Sequence, residues 1–102
     1  MMKLTPQAIA DLSRDLPEWQ CDGQALTREF KFKDFKTAFA FMTEIAAEAD
    51  RTDHHPDWSN VYDRVSIRLS THDAGGLTDK DVALAQFIDA AARKRQIEAA
   101  DA

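Results

Sequence analysis

LTREFKFKDFKTAFAFMTEIAAEA, residues 26–49, changes its apolar period once, and that change decides the fold. Up to Lys33 the chain alternates. Leu26, Phe30 and Phe32 fall on one side, and Thr27, Glu29, Lys31 and Lys33 on the other, as the two-residue repeat of a strand requires. From Asp34 onward the repeat lengthens. Phe35, Ala38, Phe39, Met42, Ile45, Ala46 and Ala49 recur every three or four residues, one stripe of a long amphipathic helix. Phe and Met at this spacing are the ordinary mark of burial rather than of a cofactor site.

The same signals repeat on both sides of this stretch. Before the strand, Thr5 can cap a helix, Pro6 takes its first position, and Leu4 can staple onto Ile9. Ile9, Leu12 and Leu16 mark its apolar face, and Pro17 ends it. Glu18 to Cys21 is expected to be a short strand turning through Asp22-Gly23. After the long helix, Pro56 forces His55 out of helical geometry. Trp58 to Tyr62 and Arg64 to Thr71 then form two strands, with Val65, Ile67 and Leu69 facing away from Arg64, Ser66 and Arg68. Beyond Gly75-Gly76, Thr78 caps the last helix, Asp81 stands at the capping-box position, and Leu77 can staple to Val82. Leu84, Phe87, Ile88 and Ala91 supply its apolar face, and the polar tail from Arg93 is expected to fray.

The expected order is therefore α-β-β-α-β-β-α over a single domain, residues 1–102. This is an α+β fold: a four-stranded antiparallel sheet with three helices packed on one face. The opposite sheet face would carry Thr27, Glu29, Ser66 and Arg68, free for solvent or assembly.

Composition narrows the function. The net charge is −5 with a pI near 5.0, so counterion release on a nucleic-acid backbone offers nothing and direct nucleic-acid contact is not expected. Anionic membrane surfaces are disfavoured for the same reason. No apolar run approaches the roughly 18 residues of a membrane span, and the first residues lack a signal-peptide core, so the cytoplasm is the expected location. The one cysteine, Cys21, cannot form an intrachain disulfide and suits a reducing compartment.

All three histidines lie in two short segments, Asp53-His54-His55-Pro56 and Ser70-Thr71-His72-Asp73. Imidazole gives and takes a proton near neutrality, and loops held by a rigid scaffold are where chemistry concentrates. Asp53 and Asp73 are placed to orient a ring. A single histidine is more often structural, Asp81 more often only a cap, and Trp58 and Tyr62 are expected as sheet and core aromatics. Zinc is the competing reading, since three histidines and an aspartate suit it. The adjacency of His54 and His55 works against it, because two neighbouring rings reach one ion only through a special turn.

These residues also carry a resemblance. Asp50, three residues, His54-His55-Pro56, five residues, Tyr62, nine residues, His72, eight residues, Asp81 resembles the signature of the pterin-4a-carbinolamine dehydratases. FKFKDF (30–35), AFAFMT (38–43), NVY (60–62), LSTH (69–72) and GLT (76–78) agree with it. The similarity spans about residues 16 to 90, with no departure at a motif position.

The resemblance implies dehydration of the 4a-hydroxytetrahydropterin left by aromatic amino acid hydroxylases, giving quinonoid dihydropterin, without metal or cofactor. It implies catalysis by His54, His55 and His72, with His54 and His72 as the acid–base pair and His55 mainly holding the pterin. Asp53, His54, His55 and Pro56 with Ser70, Thr71, His72 and Asp73 would line the pocket, supported by Asp50, Trp58, Tyr62 and Asp81. It implies a dimer or tetramer. It also allows a protein partner, a hydroxylase or a regulator, since animal members are dimerisation partners of a homeodomain transcription factor. A non-catalytic regulatory role is the alternative function, and a small metal-binding protein a third.

Overall fold

A computed structural model describes residues 2–101. Helix α1 (Pro6–Asp15) leads to strands β1 (Gln20–Cys21) and β2 (Leu26–Lys31), helix α2 (Phe35–Thr52), strands β3 (Asp57–Val61) and β4 (Arg64–Leu69), a 3₁₀ turn (His72–Ala74) and helix α3 (Asp79–Asp101). The strands form one antiparallel sheet in the order β1-β2-β4-β3. The expected element order and fold class both hold.

Each boundary has a local cause. Thr5 accepts a hydrogen bond from Ala8 N–H, with Pro6 opening α1, and Asp34 caps α2 by accepting from Thr37 N–H at 2.8 Å. At the other end of α2, Asp53 adopts left-handed φ 52° and returns its N–H to Ala49 and Asp50, a known helix stop that Asp tolerates. That reversal aims the chain at β3.

The core lies between the sheet and the helices. Leu26, Phe30, Val65, Ile67 and Leu69 of the inner sheet face meet Leu12, Phe41, Ile45, Leu84 and Ile88. Register explains the pairing: Leu26 opposes Leu69, and Phe30 opposes Val65. Arg28 also occupies an inner-face position, opposite Ile67. It is accommodated because its guanidinium lies 4.3 Å over the Phe30 ring and 2.7 Å from Asp89 of α3. Asp89 accepts from Trp19 Nε1 as well, so one carboxylate ties α3 to the sheet and to the turn after α1.

The structure corrects the stripe on α2. Phe41 is fully buried, whereas Phe39 is 54% exposed and Phe35 and Ala46 are exposed too. The buried line is Ala38, Phe41, Ile45 and Ala49, a rotation that spacing alone could not distinguish, because every position from 38 to 42 is apolar. Phe41→Leu should therefore cost about 1 kcal/mol in urea unfolding; no cost at Phe41 would restore the first stripe. The C-terminal end is also corrected: α3 does not fray at Arg93 but continues to Asp101. Arg95 helps to dock it, donating to Glu44 at 2.6 Å and to Ala40 O at 3.2 Å on α2.

The caps carry a pH dependence. Hydrogen bonds from Thr37 hold the Asp34 carboxyl below its ordinary 3.8, and the N–H groups of Gln24 and Ala25 do the same to Asp22. A carboxyl lowered on folding adds stability that is complete above its unfolded value and lost as pH falls through the folded one. The melting temperature should hold level down to about pH 4 and fall below it. Asp34→Ala should flatten that fall; a wild-type melting temperature unchanged from pH 5 to 3 would contradict it.

Candidate active site

The site forms where α2 ends, where β4 ends and where α3 begins. His54 and His55 follow the left-handed Asp53, and His72 opens the 3₁₀ turn that follows Thr71. A backbone bridge between Thr71 and Gly76 closes this turn and brings the start of α3 against the end of β4.

Behind the site lies a closed hydrogen-bond network. His54 is 9% exposed and Asp81 is fully buried; His54 Nε2 stands 2.7 Å from Asp81 Oδ1. Asp81 Oδ2 accepts from Thr71 Oγ1 at 2.7 Å and from Thr78 N–H at 3.0 Å. An ionised carboxylate only accepts, so with Asp81 as the carboxylate the hydrogen of the short imidazole contact sits on Nε2. Thr71 has one hydroxyl hydrogen and gives it to Asp81, so Thr78 Oγ1 donates to Thr71 Oγ1 across their 2.8 Å contact. Among the described residues no buried side-chain polar atom lacks a partner. With Nε2 committed, Nδ1 is the nitrogen of His54 left for proton exchange.

In front lies a cavity of about 270 Å³ lined by His55, Pro56, Asp57, Arg68, Ser70 and His72. His55 Nε2 contacts Asp50 Oδ1 at 3.0 Å, both exposed. Ser70 Oγ is turned to Gln24 O at 2.8 Å, which fixes the strand end beneath the cavity.

The two histidine segments therefore meet in space. The orienting carboxylates, however, are Asp81 for His54 and Asp50 for His55, whereas Asp53 and Asp73 are exposed. Asp53 contributes through its backbone instead, as the helix stop. Asp81 is both cap and site residue, since the oxygen that takes the Thr78 N–H also takes the Thr71 hydroxyl. Trp58 packs against the core from β3. Tyr62 is neither sheet nor core: it is exposed at the β3–β4 turn with φ 52°, at the far end of β3 from the histidines. Arg68, Asp57 and Thr78 were not expected at the site. The alternation of β4 already put Arg68 on the outer face, but only the end-on approach of residues 55–57 shows that this face borders the histidines. Among the described residues, no three His, Cys, Asp or Glu side chains converge to hold a metal ion.

Residues 2–91 match the family model described as pterin 4 alpha carbinolamine dehydratase. A relative from Synechococcus sp. (strain WH7803), named "Putative pterin-4-alpha-carbinolamine dehydratase", is 56% identical over 91 residues, covering 88% of this chain and 98% of its own. A relative of the same name from Rhodospirillum rubrum is 60% identical over 89 residues, covering 85% and 93%. The crystal structure of a transcriptional coactivator/pterin dehydratase from Brucella melitensis superposes with a TM-score of 0.83 at 46% identity, covering 88% of this chain and 98% of that one. With a match across nearly its whole length and the histidine segments brought together by the fold, this chain belongs to the pterin-4a-carbinolamine dehydratase family.

Proposed function

We propose that this protein dehydrates 4a-hydroxytetrahydropterin to quinonoid dihydropterin by histidine acid–base catalysis, returning the pterin of an aromatic amino acid hydroxylase to its reductive cycle. The observation that carries this reading is the His54–Asp81 contact of 2.7 Å beside a cavity walled by His55 and His72. Breaking the C4a–O bond requires a proton on the departing hydroxyl, which leaves as water, and loss of the N5 proton as the N5 electron pair forms the N5=C4a bond. Two imidazoles in opposite protonation states accomplish both near neutral pH. His54 and His72 take those two roles, and His55 holds the pterin ring with Asp53, Pro56, Ser70, Thr71 and Asp73 around it. Asp81 fixes the tautomer of His54, as a carboxylate does for a catalytic imidazole, while Asp50 steadies His55.

Recycling is tested with a hydroxylase supplied with limiting tetrahydropterin and excess reductase. Addition of the protein should sustain product formation after the uncatalysed system slows; an unchanged time course would contradict it. The single exposed thiol, Cys21, fits a cytoplasmic setting beside such a hydroxylase.

The same reading includes a homo-oligomer, a dimer at least. Strand β3 is an unpaired sheet edge, and Phe35, Phe39, Val61 and Tyr62 are large exposed apolar side chains; both features favour association. Sedimentation at micromolar concentration should give at least twice the 11.5 kDa chain mass, and a monomer throughout would contradict this part. The Brucella melitensis protein's description as a transcriptional coactivator supports a protein partner as a second role, and no observation on this chain favours it over catalysis.

A further inference from the structure

The outer face of the sheet holds a second, larger cavity of about 590 Å³, whose wall includes Thr27, Glu29, Ser59 and Ser66. It shares two wall residues, Asp57 and Arg68, with the histidine cavity. Strand register makes the connection continuous. Gln20, Thr27, Arg68 and Asp57 lie side by side across all four strands, and Glu29, Ser66 and Ser59 form the next row. Arg68 is exposed, and among the described residues it forms no ion pair. A group seated against His55 and His72 therefore has an open polar path over Arg68 onto the sheet.

We propose that this path binds the substituent of the pterin, and that Arg68 selects substrates whose C6 substituent is an extended polyhydroxylated chain, such as one bearing a sugar. This rests on the pterin reading of the histidine cavity. The chemistry of the wall favours a neutral, hydroxyl-rich group. Asp57 and Glu29 accept hydrogen bonds, Arg68 donates, Thr27 and Ser59 do either, and Ser66 accepts, its own hydrogen being given to Glu29 at 3.1 Å. An anionic substituent would meet Glu18, Glu29 and Asp57 against one available guanidinium, because Arg28 is already engaged by Asp89 at 2.7 Å. The cavity is about twice the volume of the histidine pocket, room that a methyl group at C6 would leave to water.

The test compares kcat/KM for three 4a-hydroxytetrahydropterins, bearing at C6 a methyl group, a hexosylated hydroxypropyl chain, or a phosphorylated hydroxypropyl chain. Wild type should prefer the hexosylated over the methyl substrate by about tenfold, the scale of one hydrogen bond to a charged group, and should gain nothing from the phosphate. Arg68→Leu should reduce the preference to about twofold, and Thr27→Val, on the same row, should reduce it in part. A ratio between substrates cancels any general loss of activity or folding. Equal values for the methyl and hexosylated substrates, an undiminished ratio in Arg68→Leu, or a preference for the phosphate would each overturn the proposal. Dehydration of none of the three would overturn the pterin reading itself, and this inference with it.

Discussion

Exchanging His54 for glutamine is expected to lower kcat for pterin dehydration by about 10²-fold or more, the usual share of one positioned acid or base. Glutamine is the informative replacement because its amide N–H can keep the 2.7 Å contact to Asp81 while having no proton to exchange near neutrality. The buried network behind the site then stays satisfied, so urea unfolding should move little. His72→Ala should give a comparable fall in kcat, with even less effect on folding, because His72 is exposed. His55→Ala, by contrast, should raise KM more than it lowers kcat, because a residue that holds ground and transition states alike acts on binding. Full activity in both His54→Gln and His72→Ala would remove the acid–base assignment.

The second large effect is expected at Asp81, where stability and activity fall together. Asp81 is fully buried and accepts from His54, Thr71 and Thr78. Asp81→Ala would strand three donors at once and take away the cap of α3. The expected loss is about 3 kcal/mol of unfolding free energy, the range for breaking a buried hydrogen-bonded charge. Asp81→Asn separates the two roles. Its amide keeps the volume but offers a single acceptor oxygen, and only the side where Thr71 and Thr78 both donate needs one for two bonds. If its NH₂ faces His54, the ring is driven to the other tautomer, with Nε2 as acceptor and Nδ1 carrying the hydrogen. We expect Asp81→Asn to fold, to cost less than the alanine variant, and to lose at least tenfold in kcat. Unaltered kcat in a folded Asp81→Asn protein would reduce Asp81 to a cap.

Most of the fold was legible because its signals are local. The strand-to-helix change of period at Asp34, the Thr5-Pro6 start and the Thr78-to-Asp81 cap each depend on residues close in the chain. What escaped depends on distant partners. Phe41 and Phe39 are equally apolar, and only the seat of α2 against Phe30 and Phe32, ring centroids 5.1 and 4.7 Å from Phe41, buries one and exposes the other. Arg28 is a cation in an inner-face position, intelligible only with Asp89 sixty-one residues away. The histidine segments stood out by composition, but which acid serves which ring did not. Asp53 adjoins His54 and Asp73 adjoins His72 in sequence, whereas Asp81 reaches His54 only after β4 and the 3₁₀ turn bring α3 back. Arg68 and Asp57 were hidden because a strand's outer face carries no mark of the cavity at its end.

Histidine-catalysed dehydration would be read in the absorbance change of freshly generated 4a-hydroxytetrahydropterin at neutral pH, with and without the wild-type protein, beside the His54→Gln and His72→Ala variants. Wild type should hasten formation of the quinonoid dihydropterin, and each variant should lose at least tenfold of that acceleration. A folded wild-type protein that leaves the uncatalysed rate unchanged would contradict it, and the histidine cavity would then be a binding site without chemistry.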